Sequence, residues 1–126
     1  MDADHEESSP DASFKLISKL TCSLAGQERN VRIAPGTQTH KIYGTNEATE
    51  IFACSYGLNE AFGDQIRSRD LVISARDDDG AVRIVELPNH PFFIATLFVP
   101  QVSSQSGKPH PLIVAYLRSA IQRANV

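Results

Sequence analysis

The sequence has no tryptophan, a single methionine and only two cysteines. Cys22 and Cys54 form neither a CxxC pair nor a Cys/His pair at metal-ligand spacing, so neither a thiolate metal site nor a disulfide framework is encoded. Two free thiols in a reducing cytoplasm are the expectation. An excess of positive charge is also lacking: 12 Lys and Arg stand against 15 Asp and Glu, for a net charge of −3. There is thus no electrostatic case for nucleic acid or an anionic membrane as partner. Acids follow Met1 where a secretory leader would place a basic and then an apolar stretch. The longest apolar run, residues 92–99, is interrupted by Thr96 and is far too short to span a bilayer. No phosphate loop of the Gly-x-x-x-x-Gly-Lys-Ser/Thr kind occurs, and there is neither an internal repeat nor a low-complexity segment.

What is present fits one domain, since 126 residues leave no room for a second core. Asp2, Asp4, Glu6, Glu7 and Asp11 put five of the acids into the first eleven residues. Residues 1–13 therefore read as a polar N-terminal segment preceding a domain over residues 14–126. Leu20, Cys22 and Leu24 alternate with polar residues, as do Val31 and Ile33 after Gly26-Gln27-Glu28, which predicts a hairpin. Residues 39–43 suit a turn of helix closed by Gly44. Residues 50–56 carry the β-branched and aromatic composition of a strand. Asn59 is placed to cap a helix over residues 60–67, with Phe62 and Ile66 on one face.

Residues 71–75 predict a strand that turns at Asp77-Asp78-Asp79-Gly80 and returns through Val82, Ile84 and Leu87. The apolar run that follows predicts a strand buried on both faces in the middle of a sheet, on which reading Ile94→Asp unfolds the domain. Pro100 ends the run. A Ser-, Gly- and Pro-containing loop over residues 101–109 leads to Pro111, which opens a helix to about Arg123 with Leu112, Ala115, Tyr116, Ser119 and Ala120 on one face.

Candidate chemistry is sparse. Asp77, Asp78 and Asp79 are contiguous and run straight into Gly80, whereas a calcium loop needs acids at alternate positions and a closing Glu. Gly80 is better explained by the positive φ of a hairpin turn. His90 has no Ser or Cys in a recognisable elbow to activate, and reads as a loop residue bonding its own backbone. His110 reads the same way at the start of the last helix, and His5 and His40 have no informative context. Cys54 in a strand interior lacks the helix N-terminus or cation that makes a thiol nucleophilic, so it reads as a small buried hydrophobe, and Cys22 likewise. No cofactor or metal is expected.

The motifs from Asp79 to Ala120 nevertheless have an order. Asp79-Gly80 is followed by Ile84-Val85-Glu86, Asn89-His90-Pro91-Phe92-Phe93, Phe98-Val99-Pro100-Gln101, a Ser/Pro loop, and His110-Pro111-Leu112 at the head of the last helix. Upstream stand Glu50 and Tyr56-Gly57-Leu58-Asn59. The series resembles, over residues 36–122, the end of a class I glutamine amidotransferase domain of the CTP synthase type. The resemblance implies an α/β fold: the C-terminal half of a three-layer, flavodoxin-like domain whose central sheet is mostly parallel, with added hairpins. It implies a family chemistry in which a Cys nucleophile, a His base and an orienting Glu release ammonia from glutamine for the amination of UTP to CTP.

This chain departs from that pattern at the reacting groups. The positions of the family's His and Glu hold Val99 and Gln101, and valine can neither accept nor donate a proton. The Gly-x-Cys-x-Gly elbow of the nucleophile is absent. Residues 51–55 replace the basic run whose Arg helps to hold glutamine. The resemblance therefore implies a truncated, catalytically inactive relative with no catalytic residue of its own, self-associating or pairing with the missing N-terminal half. A piece of a longer, working glutamine-hydrolysing CTP synthase is the first alternative. A small binding module without enzymatic activity is the second.

Overall fold

The computed structural model describes residues 4–5, 15–19, 26–52, 56–59 and 70–124. The expected helix over residues 60–67 and the strand through Leu20, Cys22 and Leu24 lie outside these, as do Cys54 and most of the polar N-terminal segment. The described elements run β1 (Asp4–His5), β2 (Lys15–Lys19), β3 (Gln27–Ile33), α1 (Gln38–Tyr43), β4 (Glu47–Phe52), β5 (Tyr56–Leu58), β6 (Val72–Asp77), β7 (Val82–Glu86), β8 (Ile94–Thr96), a 3-10 turn (Pro100–Val102) and α2 (Pro111–Ala124).

Local chemistry accounts for most of these boundaries. Thr37 caps α1: its hydroxyl accepts the N–H of His40 at 3.1 Å and donates to the Ala34 carbonyl at 2.7 Å. Gly44 closes the helix at φ 72°, a conformation open to glycine without strain. At the β6–β7 turn Gly80 has φ 82°. There the Asp77 carboxylate accepts the N–H groups of Asp79 and Ala81, both at 3.0 Å, so the first acid of the triplet builds the turn.

The strands form two sheets, β1-β2-β5 and β4-β3-β6-β7-β8. Every ladder of the larger sheet is antiparallel, and among the described residues only β1 and β2 pair in parallel. The α/β class stands, but the expected mostly parallel sheet is replaced in the described part by a curled antiparallel one. The returning chain at Asp77-Gly80 is a tight hairpin, which can join only antiparallel neighbours. The described partners of β3 are β4 and β6, and the other arm of the hairpin expected before it lies outside the described residues.

The core gathers Val31, Ile33, Phe52, Ala75, Ile84, Phe98 and Leu112 between the larger sheet and the helices. Among the described residues the strand in residues 92–99 lies at the sheet edge rather than its centre. It is only three residues long, and β7 is its one neighbour among the described residues. The apolar residues of the run serve separate places: Phe98 enters the core against the Phe52 ring at 5.5 Å, while Phe92 meets the ring of Tyr116 on α2 at 5.6 Å. Ile94 is half-buried at the sheet edge, whereas Ile84 on β7 is fully buried.

The sensitivity expected at Ile94 therefore moves to Ile84. Ile84→Ala is expected to cost about 2–5 kcal/mol, the range for deleting a large buried aliphatic group. Ile94→Ala should cost clearly less. Urea denaturation of the two variants checks the order, and equal losses would contradict the edge placement of β8.

Candidate functional site

The chain turns sharply after β8. Thr96 donates its hydroxyl to the Phe98 carbonyl at 2.6 Å, and Phe98 dives into the core. Val99 follows in extended conformation, and Pro100 starts the 3-10 turn. A residue on the opposite side of an extended chain from a buried one faces outward, and Val99 is 43% exposed. Gln101 is exposed on the turn. It borders an open cleft of about 430 Å³ whose other walls include Ile94, Thr96, Leu112, Ile113, Tyr116 and Leu117. No carboxylate, imidazole, thiol or amine from the described residues lines this cleft. It therefore offers hydrogen bonds and apolar contact, but no group suited to moving a proton near neutral pH.

The histidines sit elsewhere. His90 is exposed, and its Nδ1 lies 3.0 Å from the Phe92 carbonyl and 3.3 Å from the Phe92 amide, a loop residue held by its own backbone. His40 contacts Asn46 through Nε2 at 2.7 Å. His110, expected to be a similar loop residue, is instead buried in a cluster that the sequence did not reveal. Its Nδ1 accepts the Leu112 amide N–H at 3.1 Å, so the ring proton is on Nε2, which donates to Glu50 Oε1 at 2.7 Å. Tyr43 donates its hydroxyl to the same Glu50 oxygen at 2.6 Å.

This Glu–His–Tyr arrangement superficially resembles an oriented base. Both His110 and Glu50 are almost entirely buried, however, and among the described residues no Ser or Cys is a hydrogen-bond partner of the His110 ring. The cluster joins β4, α1 and the head of α2. Burial of the phenol, then its hydrogen bond to Glu50 and the carboxylate's negative charge, push the Tyr43 pKa far above the usual range. Sixty residues separate Glu50 from His110, and no local periodicity links them. The only available signal was that both fall within recurring motifs.

Two further buried acids have structural partners. Asp77 Oδ2 accepts from Arg83 Nε and from a terminal Arg83 nitrogen, both at 2.9 Å. The Arg83 guanidinium in turn lies 5.1 Å from the centre of the Phe52 ring. Glu86 accepts the backbone N–H groups of Gln38 at 2.9 Å and Thr39 at 3.1 Å, and the Thr39 hydroxyl at 2.9 Å. A carboxylate at those first-turn amides satisfies donors that the helix itself leaves free. Asp78 and Asp79 pair with Arg32 and Arg29 at the surface.

No family model matches the chain. It is 41% identical over 109 residues to a CTP synthase of Archaeoglobus fulgidus, covering 86% of this chain and 20% of that protein. It is 37% identical over 111 residues to the CTP synthase of Methanothermobacter thermautotrophicus, covering 87% of this chain and 21% of that protein. The chain thus spans about a fifth of the length of these curated relatives. Among solved structures, the glutaminase domain of the Trypanosoma brucei CTP synthase with bound acivicin superposes with a TM-score of 0.87 at 25% identity, over 96% of this chain and 51% of that one. A GMP synthase protein of Thermoplasma acidophilum shares the fold at 14% identity, with a TM-score of 0.62 and 86% of this chain covered. Among the described residues no helix is long and apolar enough to cross a membrane.

The raised pKa of Tyr43 has a definite sign in stability. Below the unfolded value of about 10 the phenol is neutral in both states, and its contribution is complete. Above that pH the unfolded chain ionises first, so stability falls as pH rises towards the folded value, by about 1.4 kcal/mol per unit for this one group. Tyr43→Phe should be less stable than the parent near pH 8, by about 1–3 kcal/mol for the lost donor to buried Glu50. The gap should narrow above pH 10. Urea midpoints of the two proteins at pH 8 and pH 10.5 test this, and a gap that widens with pH would contradict it.

Proposed function

We propose that this chain, a relative of CTP synthases folded as their glutaminase domain is, does not hydrolyse glutamine and acts as a non-catalytic cytoplasmic protein on that scaffold. One observation carries the reading: the motif positions of the family's base and its orienting acid hold an exposed Val99 and Gln101, and the cleft that Gln101 borders has no carboxylate, imidazole, thiol or amine from the described residues. Valine leaves the step without a base, and an uncharged amide cannot stabilise an imidazolium as a carboxylate does. The glutamine-dependent amination of UTP would then belong to relatives that carry the remaining four-fifths of the length.

A second reading is favoured by the sequence identity of 41% to a CTP synthase: the chain would be a piece of a longer, glutamine-hydrolysing enzyme. The two readings differ in activity. No ammonia is expected from glutamine above a buffer blank, because loss of a single triad member already costs ~10⁴-fold or more. Release that persists in a Cys54→Ala control would refute the inert reading.

The same elements support a partner. Phe93, Val99, Val102, Tyr116, Leu117 and Ile121 are between 43% and 60% exposed. They all lie in the segment from β8's flank to α2, and β8 has no strand partner on one side among the described residues. An open strand edge beside apolar surface favours pairing with another chain. The expected occupant is a second copy or the other half of an amidotransferase domain. Light scattering over a concentration series should therefore report a mass above that of the monomer, and Leu117→Glu should lower it. A strictly monomeric protein with a cooperative melt at high concentration would overturn this.

A further inference from the structure

On the other side of α2 lies a cleft of a different character. α1 contributes Gln38, Lys41 and Ile42, three and four residues apart on one helical face. α2 contributes Val114, Ala115, Arg118 and Gln122, again on one face, and Pro91 and Phe92 close one end. The volume is about 500 Å³, within the range of small-molecule sites. No acid from the described residues lines it.

The cations there differ from the arginines of the sheet in their partners. Arg29 is held by Asp79, Arg32 by Asp78, Arg83 by Asp77, and Arg76 by the Gly80 carbonyl. Among the described residues, the side chains of Lys41 and Arg118 have neither an ion pair nor a hydrogen bond. The chain as a whole carries a net charge of −3, so two uncompensated cations facing one cleft run against its average. The amides of Gln38 and Gln122 add neutral donors, and Ile42, Val114 and Phe92 supply apolar wall. Cations and amide donors above an apolar wall match an oxyanion carried on a flat apolar body.

We propose that the cleft between α1 and α2 binds a small aryl oxyanion, with Lys41 and Arg118 holding the anionic group and Ile42, Val114 and Phe92 packing its ring. The site shares only Phe92 with the cleft beside Gln101, and it does not depend on whether the chain hydrolyses glutamine. Such an anion could be a phosphate ester or a carboxylate, and the two are distinguished by titrating the whole chain with phenyl phosphate and with phenylacetate.

Isothermal titration at low ionic strength should give saturable binding of at least one of the two probes, weakened as salt is raised. Arg118→Gln and Lys41→Gln should each weaken it at least tenfold with unchanged melting, since both side chains are solvent-exposed. Arg118→Lys should recover part of the affinity. Saturation by phenyl phosphate alone identifies the phosphate source, and saturation by phenylacetate alone the carboxylate. Failure of both probes to saturate, or binding unaffected by either Gln substitution, overturns the proposal.

Discussion

The packing of both helices on the sheet depends on one buried carboxylate. Glu50 projects from β4 into the space between α1 and α2, where an unpartnered charge would cost several kcal/mol. Tyr43 from the end of α1 and His110 from the head of α2 both donate to a single Glu50 oxygen. The His110 ring also accepts the first-turn amide of Leu112, so one side chain meets the acid and caps the helix together. Any shift of either helix strips a donor from the charge. The geometry is therefore held by the cost of breaking it more than by the net gain of making it.

Glu86 repeats the device on β7. Its oxygens are taken by the first-turn amides of α1 and by Thr39, whose hydroxyl lies 2.9 Å from that of Ser74 on β6. Asp77 and Arg83 do the same across the β6–β7 hairpin. Among the described residues no buried side-chain polar atom lacks a partner. These buried acids of the sheet are thus structural, and two clefts flank α2. They divide by charge: the one beside Gln101 has no charged side chain from the described residues, and the one beside α1 carries Lys41 and Arg118.

Elements encoded by adjacent residues were legible before the structure. The Asp-Gly turn, the short helix ended by Gly44 and the helix opened by Pro111 each depend on one residue whose backbone preference acts locally. The ordered motifs from Glu50 to His110 identified the relationship. The apolar run misled, because continuous apolarity records that side chains leave water without recording where each one goes. Phe92 meets Tyr116 on α2, Phe98 fills the core, and only Ile94–Thr96 pairs as a strand, at an edge among the described residues. The parallel sheet expected from the resemblance likewise gave way to antiparallel ladders in the described part.

The sequence by itself determined the family relationship and the turns and caps, because each is a property of residue type at a position. Only the tertiary structure decided that His110 meets Glu50 and, among the described residues, that β8 is an edge and that Lys41 and Arg118 share a cleft without acids. Those facts join residues far apart in the chain. A buried charge or an uncompensated cation is defined by what folding places beside it, and linear spacing does not contain that information.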